Sequence, residues 1–347
     1  MRNCGAREMR SREFAKFHPP QVDTAIFRLR SPYPFPFPAR NSIGTMRDRI
    51  QQLADNIGRV LVGKETSIRL VLSALLGGGH ALLEDVPGVG KTLLAKSLAR
   101  SIDGTFQRIQ CTPDLLPSDI TGTNIWNQNA GEFGFMPGPV FAHVLLADEI
   151  NRATPRTQSA LLEVMEERQV TLDGKTHKVP KPFFTIATQN PVEYQGTFPL
   201  PEAQMDRFAL SLSLGYPTAD EELRILQYQG EIASDDLEAC ITPEEVLALQ
   251  AACLEVEVAI SVQKYILNLV RASRADEEIA LGVSPRGTVA LQKVARAFAY
   301  IEGRNYVEPD DVKFLAPHVL AHRLIPNAGR NARAIVDRLL RSVAVED

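Results

Sequence analysis

The sequence has 347 residues, a formal net charge of −4, 44% hydrophobic residues and 23% charged residues. These values are typical of a soluble globular protein of about two domains. No apolar run approaches the roughly 18 residues that a membrane-spanning helix requires, and the net negative charge argues against a nucleic-acid binder that relies on a general positive field. The four cysteines show neither metal-ligand spacing nor disulfide density, which favours a cytoplasmic protein with reduced thiols.

Residues 1–45 have the composition of an unfolded tail. Six prolines interrupt any helical pattern, and eight basic residues stand against three acidic ones. The segment lacks the apolar region of a secretory signal, although a basic and acid-poor composition is also typical of an organelle transit peptide. We therefore predict a disordered Arg- and Pro-rich tail, or a translation start at Met46.

From Met46 onwards, helix and strand patterns alternate. The predicted helices are 50–61, 65–76, 91–102 and 155–168. The predicted strands are 80–83, 106–111, 144–147, 183–188 and 208–214, and the predicted hairpins are 125–136 and 169–179. The last strand alternates as a half-buried strand would. Strands interleaved with helices predict an α/β core with a mostly parallel sheet over residues 46–216.

Residues 217–347 have a different pattern, in which strands are not expected. Capping boxes begin at Thr218 and Thr242, and further helix starts are predicted at Ser261, Ser284-Pro285 and Pro309. This pattern predicts a smaller all-helical second domain.

The stretch around Gly90 has the pattern of a phosphate-binding loop. An apolar strand, 80–83, leads into Pro87-Gly88-Val89-Gly90-Lys91-Thr92, and a helix is predicted from Lys91. The backbone N–H groups of such a loop and the positive end of the helix attract an anion. Lys91 can reach the β- and γ-phosphates of a nucleotide, and the Thr92 hydroxyl can ligate Mg²⁺.

One position departs from the general pattern G-x-x-x-x-G-K-[ST]. The pattern has glycine at position 85, where this sequence has Asp85. For this motif taken alone, the alternative is a solvated Gly-Lys-Thr turn without a ligand.

A pair of carboxylates, Asp148 and Glu149, follows the apolar strand 144–147. The first carboxylate can hold Mg²⁺ through water beside Thr92, and the second can polarise an attacking water. An Asp-Glu pair alone would more often be a solvated strand end. Because the pair follows a buried strand about 57 residues after Lys91, we expect that strand to lie next to the strand of the phosphate-binding loop.

Together with the loop, four further motifs resemble the MoxR family of AAA+ ATPases. They are Leu-Leu-Ala-Asp-Glu-Ile-Asn-Arg-Ala (145–153), Gln-Ser-Ala-Leu-Leu-Glu (158–163), Ala-Thr-Gln-Asn-Pro (187–191) and Leu-Pro-Glu-Ala-Gln-Met-Asp-Arg-Phe (200–208). The resemblance covers about Met46 to Leu340, and the family often has Glu-Asp-Val-Pro-Gly at the position of Asp85. It implies a P-loop AAA+ αβα sandwich with a mostly parallel sheet, a helical lid domain, and hydrolysis of ATP with Mg²⁺.

The resemblance also assigns roles to residues that patterns alone leave open. Asn190, otherwise a possible turn former, matches the sensor 1 residue that orients the attacking water. Arg207, otherwise an ordinary surface residue, matches the arginine finger that reaches a neighbouring subunit's nucleotide. Arg286 matches sensor 2, which would contact the phosphates in cis. With Glu149 these complete the catalytic set, and the implied nucleotide-binding residues are Val62, Gly63, Pro87, Gly88, Val89, Gly90, Lys91, Thr92, Leu93 and Asp148.

The expected partners follow from the same resemblance. The family implies a homo-oligomeric ring, expected to be a hexamer, that remodels or activates a client protein. The client or its partner would often carry a von Willebrand factor A domain, on a separate polypeptide. The two hairpins resemble inserts that face the pore or the substrate in related rings, although packing against the domain is an equally good reading.

Three alternatives remain open from sequence. A nucleic-acid-stimulated motor would need basic hairpins, for which Lys175, Lys178 and Lys181 give a weak signal. The others are the motor subunit of a metal chelatase and a nucleotide-gated scaffold with little turnover. A zinc site at His318 and His322 is not expected, because the acidic residue of H-E-x-x-H and a third ligand are missing.

Overall fold

The computed structural model describes residues 46–128, 131–191, 196–227 and 234–345. The tail predicted for residues 1–45 therefore lies outside the described residues. Within the described ranges, none of the helices is long and apolar enough to cross a membrane.

Strands and helices alternate up to residue 227 and helices dominate afterwards. The strands are β1 (Ala81–Glu84), β2 (Phe106–Gln110), β3 (Gly122–Asn127), β4 (Glu132–Pro137), β5 (Val144–Asp148), β6 (Gln169–Leu172), β7 (Lys175–Lys178), β8 (Phe184–Gln189), β9 (Leu210–Leu212), β10 (Ile279–Leu281) and β11 (Ile325–Pro326). The helices are α1 (Met46–Gly58), α2 (Glu65–Leu76), α3 (Lys91–Ser101), α4 (Pro117–Thr121), α5 (Pro155–Glu167), α6 (Glu202–Met205), α7 (Ala219–Gln227), α8 (Pro243–Leu254), α9 (Ile260–Ala275), α10 (Pro285–Ile301), α11 (Pro309–Leu320) and α12 (Ala332–Ser342).

In the described part of the chain, the central sheet has five parallel strands in the order β2-β5-β8-β1-β9. The predicted parallel α/β core is therefore confirmed. One expectation is wrong, because β5, which ends in Asp148, does not adjoin β1. The strand β8 lies between them, since apolar residues on both of its faces allow burial at the centre of the sheet.

The edge strand β9 also differs from its prediction. An alternating, half-buried strand was expected over 208–214, but only Leu210–Leu212 form a strand and all three residues are buried. The helices α2 and α11 pack against β9. This strand is thus covered by α2 from the core and by α11 from the helical part, which a period-2 pattern does not indicate.

The helical part contains strands as well. β10 and β11 pair in an antiparallel two-stranded sheet, which corrects the expectation that strands end after Tyr216-Pro217. The predicted capping box between Thr242 and Glu245 is present at α8, and Ser284 caps α10. The helix predicted to start at Ser261 begins one residue earlier.

One hydrophobic cluster joins the helical part to the sheet. It includes fully buried leucines from α2, β9, α10 and α11: Leu72, Leu210, Leu291 and Leu315. The imidazoles of His318 and His322 lie 3.3 and 3.1 Å from the carbonyl oxygens of Ser211 and Phe208. The helical part is therefore packed directly on the β9 edge of the sheet.

Both predicted hairpins are present, and they contact each other. The Asn124 side chain of β3 donates to Asp173 Oδ2 in the β6–β7 turn over 2.6 Å, and Phe135 of β4 stacks on His177 of β7 with ring centroids 3.9 Å apart. The first hairpin was predicted over 125–136, but its strands begin three residues earlier, at Gly122, and end one residue later, at Pro137. Part of its turn (129–130) lies outside the described residues. The two hairpins form one surface feature, which we call the paired hairpins.

A buried histidine links β1 to the helix α5 and to β8. Nδ1 of His80 accepts a hydrogen bond from the Thr185 N–H over 2.9 Å, so Nε2 carries the proton and donates to the Met165 carbonyl over 3.0 Å. Burial, with a contribution from the charge of Arg168, lowers the pKa of His80 to about 3. The folded protein thus keeps this imidazole neutral.

We expect the free energy of unfolding to fall as the pH drops below 6.5. The unfolded chain binds a proton at His80 near pH 6.5 while the folded chain does not, so stability is complete above this pH and decreases towards pH 3. By pH 5 the loss attributable to His80 is about 2 kcal/mol. Urea unfolding between pH 5 and 7.5 measures it. His80→Leu should be less stable at pH 7.5 but have a shallower pH dependence, and an unchanged slope would contradict the assignment.

Candidate active site

The predicted phosphate-binding loop connects β1 to α3 at the carboxyl edge of the sheet. Pro87 to Gly90 form the turn, and Lys91, Thr92 and Leu93 form the first turn of α3. Gly90, at the N-cap, has φ +98°, a conformation that L-residues rarely adopt. Lys91 Nζ donates to the carbonyl oxygens of Asp85 and Val86 over 2.9 and 3.2 Å. The ammonium group therefore lies against the loop that precedes it.

The carboxyl end of β5 carries Asp148, whose carboxylate is held from two sides. Thr188 Oγ1, from the neighbouring β8, donates to Asp148 Oδ1 over 2.6 Å, and Arg108 Nη2, from β2, donates to Oδ2 over 2.6 Å. Thr188 also accepts the backbone N–H of Glu149 over 2.9 Å. The two acidic residues are therefore organised by one buried threonine hydroxyl.

Glu149 has a left-handed backbone, with φ +56° and ψ +50°. For a residue with a Cβ this conformation is strained, and such strain concentrates at functional sites. Its Oε2 accepts hydrogen bonds from Gln110 Nε2 over 2.7 Å and from Arg152 Nη1 over 3.2 Å. These contacts hold the carboxylate at the carboxyl edge of the sheet.

Asn190 follows β8 directly and is buried. Because β8 lies between β1 and β5, the loop, the two carboxylates and Asn190 occupy the ends of three adjacent strands. This brings together three of the groups that the sequence predicted separately, in the arrangement that ligand sites of parallel α/β sheets use.

Three residues of this site were not predicted. Thr188 is a polar residue within the buried strand β8. Arg108 and Gln110 are two residues apart on the same exposed face of β2, which pairs with β5. The signal for Thr188 was its position as a hydroxyl residue at the end of the predicted strand 183–188, two residues before Asn190. Arg108 and Gln110 had no comparable signal in the sequence, because their role depends on β2 lying beside β5.

Arg207 and Arg286 share one carboxylate. Arg207 Nη1 lies 3.0 Å from Glu166 Oε2 and donates to the Leu162 carbonyl over 2.7 Å, while Arg286 Nη2 donates to Glu166 Oε1 over 2.6 Å. The Arg207 and Arg286 side chains are 29% and 47% exposed. Two guanidinium groups from different parts of the chain are thus presented side by side at the surface.

A buried network fixes the start of α10 beside Arg207. The Ser284 hydroxyl donates to Asp206 Oδ2 over 2.7 Å, and Arg323 Nε donates to Asp206 Oδ1 over 2.8 Å. Burial lowers the pKa of Arg323 to about 10, although the charge of Asp206 opposes this shift. Asp206 therefore ties the helical part to the segment that carries Arg207.

This arginine pair lies near the amino ends of the parallel strands, whereas the loop lies at their carboxyl ends. The helix α5 starts at the carboxyl end of β5 and is about 20 Å long. Arg168, immediately after it, donates to the Phe183 carbonyl at the amino end of β8. Glu166 and its partners Arg207 and Arg286 thus lie at the amino edge. Arg286 was expected to reach the phosphate-binding loop of its own chain. The start of α10 instead places it beside Glu166, near the amino ends of the strands and away from that loop.

Val62 and Gly63 lie in the turn between α1 and α2. Gly63 has φ +73°, and a Cβ there would lie 2.0 Å from Glu221 Oε1 of α7. A Cβ on Gly90 would lie 3.0 Å from Leu61 Cδ1, which places this turn next to the phosphate-binding loop. The assignment of Val62 and Gly63 to the adenine stays a prediction.

Comparisons with known proteins agree with this geometry. The sequence profile of the ATPase family associated with various cellular activities (AAA) matches residues 80–210, and the profile of the AAA lid domain matches residues 271–339. The chaperone MoxR1 of Mycobacterium tuberculosis is 42% identical over 303 residues, covering 83% of this chain and 80% of MoxR1. The chain belongs to the MoxR family of AAA+ ATPases.

Other relatives extend the match along the chain. The uncharacterized YeaC protein of Bacillus subtilis is 50% identical over 297 residues, with 84% of this chain and 93% of YeaC covered. The protein MoxR of Methylorubrum extorquens is 30% identical over 327 residues, with 86% and 94% covered. A crystal structure of a candidate ATPase from Cytophaga hutchinsonii superposes with a TM-score of 0.81 at 40% identity, covering 87% of this chain and 96% of that one.

This MoxR-family protein is therefore an ATP hydrolase with an AAA+ α/β fold and a helical lid. The profile matches correspond to β1 to β9 and to the end of α9 through α12. Residues 211–270, which contain the connection to the lid and the helices α7 and α8, lie between the two matches.

Proposed function

We propose that this MoxR-family ATPase hydrolyses Mg-ATP between the subunits of a ring, expected to be a hexamer, and uses the turnover to remodel or activate a client protein in the cytoplasm. The observation that carries the proposal is the separation of the catalytic groups between the two edges of the sheet. The loop, Glu149 and Asn190 share one edge, while Arg207 and Arg286 share the other. A second copy of the chain would bring the missing arginines to the nucleotide.

Thr92 and Asp148 are the residues that would hold Mg²⁺. A hydroxyl and a carboxylate are the hard oxygen ligands that this ion takes. Asp148 already accepts a cationic partner, the Arg108 guanidinium at 2.6 Å, while Thr188 fixes its other oxygen. When bound, Mg²⁺ would neutralise charge on the phosphates, and the chain's own contribution is to hold Thr92 in the first turn of α3 and Asp148 at the end of β5.

Glu149 is the residue we assign to activation of the attacking water, with Asn190 orienting it. Gln110 and Arg152 hold its Oε2 and so position the Glu149 carboxylate for this role. Lys91 and the backbone N–H groups of residues 88–93 would bind the phosphates. Arg207 and Arg286, with their positive charges paired on Glu166, would neutralise phosphate charge on a neighbouring subunit.

The paired hairpins are the surface that we assign to the client. Trp126 and Phe133 pack edge to face, with ring centroids 5.1 Å apart, and remain 50% and 67% exposed. Exposed aromatic side chains on a protein surface often mark an interaction site. The chaperone designation of MoxR1 supports a client of this kind, and a protein with a von Willebrand factor A domain is the partner we propose.

The proposal predicts a specific ATPase activity that rises with protein concentration. Each active site is incomplete in a single chain, so the rate per chain should increase and then level off as rings form. Steady-state ATP turnover with Mg²⁺, measured over a thousandfold range of protein concentration alongside sedimentation, tests this. A rate per chain that stays constant where the protein sediments as a monomer would show that one chain contains a complete site.

A further inference from the structure

Asp85, the residue that departs from the general loop pattern, is almost completely buried, with 4% of its surface exposed. Its Oδ1 accepts hydrogen bonds from the Ser213 hydroxyl over 2.5 Å and from the Gly215 N–H over 3.0 Å. Its Oδ2 accepts the Leu214 N–H over 2.7 Å. The carboxylate thus accepts hydrogen bonds from three groups on consecutive residues, 213–215. A glycine at position 85 has no side chain that could accept them.

The segment that Asp85 holds is the connection between the sheet and the lid. Residues 213–218, which we call the linker, run from the end of β9 to the start of α7. Its far end is also held, because Lys64 Nζ donates to the Tyr216 carbonyl over 3.1 Å. Thr218 then caps α7 together with Glu221. The linker is therefore attached to the nucleotide edge of the core at both ends.

The main chain of Asp85 faces the other way, towards the loop. Its carbonyl oxygen accepts a hydrogen bond from Lys91 Nζ over 2.9 Å, as does that of Val86. If Lys91 binds the phosphates, its ammonium group must share or leave these carbonyls. A single residue therefore contacts the group that responds to the nucleotide and the segment that leads to the lid.

We infer that Asp85 is a positioning residue that couples the nucleotide state of the loop to the linker. The inference rests on the proposed role of Lys91 in binding phosphate. A change in the hydrogen bonding of Lys91 displaces the Asp85 backbone, and the buried carboxylate transmits that displacement to Ser213, Leu214 and Gly215. Coupling of this kind between two sites is reciprocal, so the linker also acts on nucleotide affinity.

Hydrogen exchange of the full-length chain, with and without a non-hydrolysable ATP analogue and Mg²⁺, tests the inference. In the unmodified protein the analogue should change the exchange rates of the Leu214 and Gly215 amides by about 5-fold or more. In Asp85→Gly these amides should exchange rapidly and equally in both states, while the loop still binds the analogue. A merely structural role would accelerate exchange but would leave the response to nucleotide in place.

A milder pair of variants keeps the test valid if Asp85→Gly does not fold. Ser213→Ala removes one hydrogen bond to Asp85 from an exposed position and should weaken the response. Ser211→Ala is the matched control, because its hydroxyl donates to Glu84 Oε2 over 2.6 Å within the sheet and should leave the response intact.

Calorimetric titration of the analogue separates the possible failures. An unmodified protein that binds the analogue without any change in linker exchange would overturn the inference alone. The same holds for a Ser213→Ala or Asp85→Gly protein with a full response. An unmodified protein that does not bind the analogue would overturn the proposed function, and the inference with it.

Discussion

Replacing Arg207 with alanine is expected to lower the ATPase rate about 10³–10⁵-fold, the range that a stabilising arginine contributes in comparable phosphoryl-transfer enzymes. Arg207 lies at the edge of the sheet opposite to the loop of its own chain, so ATP affinity should change little. The rate is measured as steady-state turnover at a protein concentration where rings are complete, and the affinity by equilibrium titration. Arg69→Ala is the matched control, since Arg69 forms an exposed ion pair with Glu302 on the surface.

Mixing variants separates a shared site from an internal one. Arg207→Ala protein keeps an intact loop and Glu149, while Glu149→Gln protein keeps an intact Arg207. A mixture of the two should therefore recover part of the activity, because some interfaces combine the two intact halves. If Arg207 acted within its own chain, mixing would recover no activity. A rate of the Arg207→Ala protein close to that of the Arg69→Ala control would also contradict the shared site.

Replacing Glu149 with glutamine is expected to lower turnover about 10²–10⁴-fold, the usual contribution of a positioned general base. The change removes the charge and preserves the size of a side chain whose backbone is already held in the left-handed conformation by its surroundings. ATP should bind at least as tightly, since one negative charge near the phosphates is lost. Single-turnover hydrolysis and ATP titration measure the two effects.

Glu163→Gln provides the comparison for Glu149. It makes the same chemical change on the exposed face of α5 and should leave turnover unaffected. If Glu149→Gln retained normal turnover, the water would be activated elsewhere. If it lost ATP binding instead, the Glu149 carboxylate would be part of the nucleotide-binding set. With the expected result, the ATP-loaded variant becomes a reagent for capturing the client.

Much of the local structure, including the phosphate-binding loop, could be predicted from local sequence. Turn and cap preferences depend on neighbours along the chain, so the Gly90 N-cap and the Thr242 capping box were readable. The same holds for the hairpin turn at Asp173-Gly174, where both residues adopt positive φ. The placement of Asp148 and Glu149 at the end of a buried strand was also readable, because the strand is continuously apolar.

Tertiary structure decided which of these elements meet. The insertion of β8 between β1 and β5, and hence the role of Thr188, depends on which strand buries best at the centre of the sheet. The position of Arg286 beside Arg207, rather than beside its own loop, depends on where α10 docks. Both are outcomes of competition between packing arrangements, about which the spacing of residues along the chain carries no information.

The sequence by itself indicated the family and predicted the phosphate-binding loop and the candidate catalytic groups, because each of the five motifs that carry them is a short run of neighbouring residues. Only the tertiary structure decided the use of Asp85, which in the sequence is a departure from a pattern. Its partner Ser213 is 128 residues away, and Glu166 is 120 residues from Arg286. Hydrogen bonds over such separations form only when burial brings the segments together, and burial is a property of the whole chain.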